Sequence, residues 1–145
     1  MSKPIILDSG PLGRLTHADY SRNRDVRAWL SNLLDRDVLV FLPEIADFEI
    51  RRNLILENLT GSLANLDDLP SLITYLPIMT ADMRLAAELW AKSRRSGRSV
   101  GDPKELNADV ILAAQAIRHG ATIATDNIGH LGQFAEARLW ATIKA

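Results

Sequence analysis

The sequence predicts an α/β protein: an open, mainly parallel sheet of four to five strands with helices on both faces, built as one domain over residues 1–145. Three observations predict it. Short, β-branched apolar runs alternate with amphipathic stretches of helix length, the pattern of strand–helix–strand crossovers. The runs are apolar throughout, as in strands buried on both faces, rather than alternating with polar residues. With 145 residues, 47% of them hydrophobic, the chain can bury one core but is short for two domains.

Pro4-Ile5-Ile6-Leu7 is the first strand, and Asp8-Ser9-Gly10-Pro11 after it reads as a tight turn. From Arg24 to Leu34, Val26, Trp29, Leu30, Leu33 and Leu34 recur at three and four, the spacing of an amphipathic helix. Val38 to Leu42 is a second strand. Pro43 suits the first position of the next helix, which Ile45, Phe48, Ile55 and Leu59 carry to Gly61. A second helical patch covers about Ser62 to Ile73. Thr74 to Ile78 is a third strand, Thr80 to Ser93 a helix capped by Thr or Asp, and Lys92 to Pro103 a polar loop. An Ala-rich helix from Asn107 to His119 is closed by Gly120. Ala121 to Thr125 is the fourth strand and Arg138 to Thr142 the fifth.

A net charge of -1 argues against a protein that coats nucleic acid or membrane by bulk attraction, so a polyanion must be met locally. The absence of cysteine removes disulfides, thiolate catalysis and cysteine-held zinc. With no secretory apolar stretch after Met1 and no run of about 20 apolar residues, a cytoplasmic protein without membrane contact is expected. The Asn58-Leu59-Thr60 sequon is then incidental.

In parallel sheets ligands sit outside the carboxyl ends of the strands. Two strands run straight into acid there, Ile5-Ile6-Leu7-Asp8 and Ile123-Ala124-Thr125-Asp126-Asn127. Ile45, Phe48, Glu49 and Arg52 share a helical stripe, which turns Glu49 inward, while Asp47, about 200° round the helix from Glu49, should face water. Asp109 shares a face with Leu112, Ala113 and Ala116 and is placed in the first turn of its helix, where the dipole favours an acid. Each acid alone has an ordinary structural reading: Asp8 in a turn, Asp109 as a first-turn acid, Asp126 and Asn127 as turn-formers, Glu49 half-exposed. Together they place three or four carboxylates at one edge with no lysine among them, a costly arrangement unless a cation sits there. Oxygen ligands point to Mg2+ or Mn2+, and one or two such ions can activate water and stabilise the leaving oxygen of a phosphodiester.

These residues resemble PIN-domain ribonucleases, and especially the VapC-type toxins of bacterial toxin–antitoxin pairs. The resemblance is carried by Ile6-Leu7-Asp8-Ser9-Gly10, by Ala46-Asp47-Phe48-Glu49-Ile50-Arg51-Arg52, by Ala108-Asp109-Val110-Ile111-Leu112-Ala113-Ala114, and by His119 to Asn127. It spans nearly the whole chain and implies a PIN-like fold. It implies Asp8, Glu49 and Asp109 as catalytic and metal-holding acids, with a fourth position that falls on Asp126 or on Asn127, the spacing to the following hydrophobic residue favouring Asn127 as the metal-holding one. Ser9 falls where a Thr or Ser helps hold a metal-bound water, and Gly10 replaces the more usual Asn. The implied function is Mg2+- or Mn2+-dependent endonucleolytic hydrolysis of RNA by a toxin held in check by an antitoxin protein, with a homodimer as the working form. The alternative is a PIN-like module that binds RNA or protein without cleaving. Arg51, Arg52, Arg94, Arg95 and Arg98, with Arg14 and Lys92, are candidates for RNA phosphate contacts, against a plain reading as solvated or ion-paired side chains.

Other chemistries lack their residues. A haloacid-dehalogenase site needs a second Asp two positions after the first, where Gly10 stands. A receiver domain's paired acids and late lysine are missing. There is no G-x-G-x-x-G, no Walker lysine and no G-x-S-x-G around Ser9. His17, His119 and His130 are not at metal-ligand spacing with one another.

Overall fold

The computed structural model describes residues 2–97 and 103–145, with side chains throughout except at 103–105. The apolar runs form strands β1 (Ile5–Leu7), β2 (Val40–Pro43), β3 (Thr74–Leu76), β4 (Thr122–Thr125) and β5 (Ala137–Leu139). The amphipathic stretches form helices α1 (Ser9–Thr16), α2 (Arg24–Asp35), α3 (Glu44–Leu56), α4 (Thr60–Asp68), α5 (Thr80–Arg95) and α6 (Pro103–Arg118). The strand order is β3-β2-β1-β4-β5, and every pairing is parallel. From β1 the chain winds outward through β2 and β3, then crosses back to β4 on the other side of β1. The winding reverses between β1 and β4, and in such sheets the reversal marks the ligand crevice outside the strands' carboxyl ends.

Successive residues of a strand point to opposite faces, which explains the unbroken apolar runs. Ile5, Leu7, Val40, Leu42 and Ala124 pack with Leu12, Leu15, Val26, Leu30, Leu33 and Leu66 from α1, α2 and α4. On the other face Ile6, Phe41 and Ile123 meet Ile45, Leu112 and Ala116. The opposite flank of α6 supplies Val110 and Ala114 to a third cluster with Ala86 of α5. Alanine suits α6 because that helix is enclosed between sheet and α5. Among the described residues no helix is long and apolar enough to cross a membrane.

Several local expectations are corrected by these contacts. Ser9-Gly10-Pro11 opens α1 rather than forming a tight turn, and Asp8 caps that helix by accepting the Ser9 N–H on Oδ1 at 2.8 Å. Pro11 is harmless there because first-turn N–H groups have no helical partner. At 8 residues the helix is too short for its periodicity to stand out. Pro43 closes β2 and caps α3 instead of opening it, and α3 stops at Leu56, before a left-handed Asn58 with φ 55. Helix α5 is capped through Asp82, whose carboxylate accepts the Met79 N–H at 2.8 Å, and it runs on to Arg95. Lys92, Arg94 and Arg95 therefore sit on its last turn and not in a loop.

The inward stripe expected on α3 is also rotated. Phe48 and Arg52 are exposed, Glu49 is half-buried, and Ile45, Ala46 and Asp47 are buried in succession. The start of α3 is wedged between the two faces: Ile45 joins one core and Ala46 the other, so no single stripe describes its burial. Asp47, expected in water, is 7% exposed. The Tyr75 hydroxyl donates to its Oδ2 at 2.7 Å and Arg51 Nε to its Oδ1 at 2.8 Å. Together they replace its hydration.

Candidate active site

Asp8 and Asp126 are the first residues after β1 and β4, so each ends a strand at the winding reversal. The Asp8 N–H donates to the Ala124 carbonyl at 2.9 Å, continuing the β1–β4 ladder by one step and fixing where its side chain starts. Oδ1 takes the Ser9 N–H; Oδ2 takes the Thr125 hydroxyl proton at 2.7 Å. Thr125 Oγ1 in turn accepts the Asn127 N–H at 3.1 Å.

The Asp8 carboxyl is held above its ordinary range, chiefly by burial and further by the Asp126 charge. The Thr125 and Ser9 donors pull the other way without cancelling this. Positive charge arriving beside such a carboxyl would favour its anionic form.

Asp126 reaches toward the same place. A Cβ built on Gly10 would run into its Oδ2 and lie 3.0 Å from its Cγ, so glycine at position 10 makes room for the carboxylate. This accounts physically for Gly10 where the resembling family usually has Asn. The other oxygen, Oδ1, accepts the Trp140 indole N–H at 2.8 Å. Of the two alternatives left open for the fourth position, it is Asp126 that the structure brings beside Asp8. Asn127 turns its side-chain amide toward Gly129.

Glu49 on α3 and Asp109 on α6 are both half-buried, and neither is without a partner. Asp109 lies in the second turn of α6 rather than the first, because that helix already begins at Pro103. Its face is the expected one, shared with buried Leu112, Ala113 and Ala116. Among the described residues no three acidic or histidine side chains gather closely enough to hold a metal ion by themselves. Asp126 acts on Asp8 through its charge and so joins it at this edge. That donor set still fits magnesium, which keeps several waters and is held by one or two carboxylates together with substrate phosphates.

The basic residues divide sharply. Arg51 is spent on Asp47 and on Asp67, each at 2.8 Å. Arg14 bonds Asn23 and Asp25 and lies over the Trp140 ring, its Cζ 5.4 Å from the centroid. Arg52 covers exposed Phe48 and Arg94 covers Trp90. Arg95 is exposed on the last turn of α5, and Arg98 lies outside the described residues. Two further site groups were not singled out from sequence. Thr125 had a visible signal, a hydroxyl at the end of a strand that runs into acid. Trp140 had none, because nothing local ties it to an acid fourteen residues earlier.

Gly10 gives a direct test of this packing. Changing Gly10→Ala will displace the Asp126 carboxylate and weaken Mn2+ binding, measured by calorimetry, by about tenfold, on the scale of a disturbed ligand support. The melting temperature will hold or rise slightly, since alanine favours a helix over glycine by about 1 kcal/mol.

The model of the PIN domain family matches residues 5–134. No curated protein matches the chain. Solved structures are similar over almost their whole length. VapBC2 from Rickettsia felis, bound to a DNA fragment from its promoter, has a TM-score of 0.75 at 17% identity, covering 92% of this chain and 96% of that one. FitAcB from Neisseria gonorrhoeae has a TM-score of 0.72 at 22% identity, covering 96% and 99%. VapC20 from Mycobacterium tuberculosis, a toxin that cleaves the sarcin–ricin loop, has a TM-score of 0.64 at 16% identity, covering 93% and 99%.

Proposed function

The chain belongs to the PIN domain family, and from that premise we propose that it is a divalent-metal-dependent endoribonuclease, acting as the toxin of a toxin–antitoxin pair. The observation that carries the proposal is the place of Asp8: half-buried at the β1–β4 winding reversal, with the Asp126 carboxylate brought to the same edge. A carboxylate pair of that kind is an open demand for a hard cation.

In this reading Asp8 and Asp126 would hold Mg2+ or Mn2+, with Asp109 of α6 and Glu49 of α3 as the further acids of the site. When bound, the ion supplies a water of lowered pKa and a Lewis acid for the phosphodiester. The chain's own contributions are distinct. Thr125 and the Ser9 N–H orient the two Asp8 oxygens. The Ser9 hydroxyl would help hold a metal-bound water. Asp109 or Glu49 accepts the proton of the attacking water, and Arg95 and Lys92 on the last turn of α5 meet RNA phosphate. Similar structures solved as VapBC assemblies support a partner protein for this chain, and exposed Ile55, Leu56 and Leu59 on and after α3 offer an apolar surface for its helix. A second apolar surface, with exposed Met83 and Trp90 on α5, suits a second copy of the chain.

One observation favours a second reading, a PIN-like module that binds RNA without cutting it: the absence, among the described residues, of a three-acid cluster. The two are separated by incubating purified protein with a mixed-sequence single-stranded RNA. Cleavage is expected with Mg2+ or Mn2+ and none with EDTA. Retention of RNA without cleavage under every metal condition would establish the binding module instead.

A further inference from the structure

We infer that Trp140 is a positioning residue for the acidic edge: its indole N–H holds Asp126 in the orientation that presents the second carboxylate oxygen beside Asp8. The inference rests on the metal-dependent reading of that edge and adds a residue to it.

Asp126 is exposed and follows the end of β4, so an unrestrained carboxylate there would sample several rotamers. Its two oxygens are instead assigned. Oδ1 accepts the Trp140 Nε1–H at 2.8 Å, and Oδ2 lies against the bare Cα of Gly10. The donor is itself held on two sides. Trp140 meets Trp29 edge-on, with centroids 5.5 Å apart at 63°, and the Arg14 guanidinium covers its ring at 5.4 Å. Trp29 is anchored by its indole N–H to the Ile143 carbonyl at 2.9 Å, and Arg14 by Asn23 at 3.0 Å and by Asp25. Swinging the indole away would undo both packings.

The type of donor matters as much as its place. An indole gives one hydrogen bond and carries no charge, so it orients the carboxylate without neutralising it. A lysine at that point would satisfy Asp126 and compete with the ion. An indole also has no lone pair for a metal, so it stays a support. Arg14 stacks on the indole ring, with its charge shared with Asp25.

The test uses the full chain and Mn2+ alone, without RNA. Trp140→Phe deletes the N–H while keeping a ring against Trp29 and beneath Arg14. Calorimetry is expected to show Mn2+ binding weakened by about tenfold or more, the usual cost of losing a ligand's support. In an Asp126→Asn background the same change should cost nothing further, because the two act through one contact. A purely structural role would instead lower the melting temperature equally in both backgrounds. A second measurement needs no Trp variant: in 15N-labelled wild type, the Trp140 indole proton is expected to move on Mg2+ addition, while that of Trp90 stays. Equal Mn2+ affinity in Trp140→Phe and wild type, or an indole proton indifferent to Mg2+ that wild type demonstrably binds, would overturn the inference alone. Wild type that takes up neither ion overturns the metal-dependent reading and this inference with it.

Discussion

Asp8→Asn will lose RNA cleavage by about 10²–10³-fold or more, the scale on which removal of a charge-stabilising group acts, while the folded protein becomes no less stable. Both halves come from the same geometry. Asparagine keeps the cap of α1, because its side-chain oxygen can still accept the Ser9 N–H. Thr125 loses its anionic acceptor but can turn its proton to the Asn127 carbonyl, already 3.0 Å away. What disappears is the half-buried negative charge. The Asp8 carboxyl is raised by burial and by Asp126, so its contribution to stability is present below the unfolded pKa and lost as pH rises through the folded value. At neutral pH the metal-free wild type therefore carries a cost that the variant lacks. Its melting temperature without divalent ions should equal or trail that of Asp8→Asn, and the gap should close as pH falls through the folded pKa of Asp8. Added Mg2+ should raise the wild-type midpoint and leave the variant's in place. A variant that melts well below wild type at neutral pH contradicts this account of the site.

Arg51→Ala will destabilise the protein by about 2 kcal/mol and leave cleavage per folded molecule unchanged. Removing one partner of a buried pair costs roughly 3–5 kcal/mol when both are enclosed. Here Asp47 is enclosed, with its side chain 10% exposed, but Arg51 is 34% exposed and partly screened, so a smaller loss is expected. Tyr75 still donates to Asp47 in the variant, which also limits the damage. For a chain of this size the melting temperature should fall by roughly 4–8 °C, at ~2–4 °C per kcal/mol. If Arg51 served RNA phosphate instead, the melt would be unmoved and KM would rise with a shallower salt dependence. The two measurements therefore separate a fold-holding arginine from a substrate-binding one.

The contrast between Arg51 and Asp8 shows what the sequence could carry. Asp8 was legible because its context is contiguous: an apolar strand running into an acid is visible without any fold. Arg51 sits next to Arg52 in the sequence and looks like half of a basic pair. Asp47, one helical turn earlier on α3, is a local partner at 2.8 Å, but only the docking of α4 gives Arg51 its second acid, Asp67, at 2.8 Å, and only that of β3 brings Tyr75 onto Asp47. Helix α3 failed the periodicity test for a related reason, since its first turn is buried by two cores at once and a single-stripe analysis presumes one. The polar loop expected from Lys92 failed at its start because α5 continues to Arg95, giving Lys92, Arg94 and Arg95 a helical backbone.

By itself the sequence determined the layer architecture, the parallel sheet and the placing of acids at strand ends, because these depend on residues adjacent in the chain or one helical turn apart. Only the tertiary structure decided that Asp126 and not Asn127 lies beside Asp8, that Gly10 is the clearance for it and that Trp140 holds it. Those choices depend on β1 and β4 lying side by side, which brings Thr125 within 2.7 Å of an Asp8 that is 117 residues away along the chain. A hydrogen bond of that reach leaves no periodic trace in the sequence, since either partner alone has an ordinary local role.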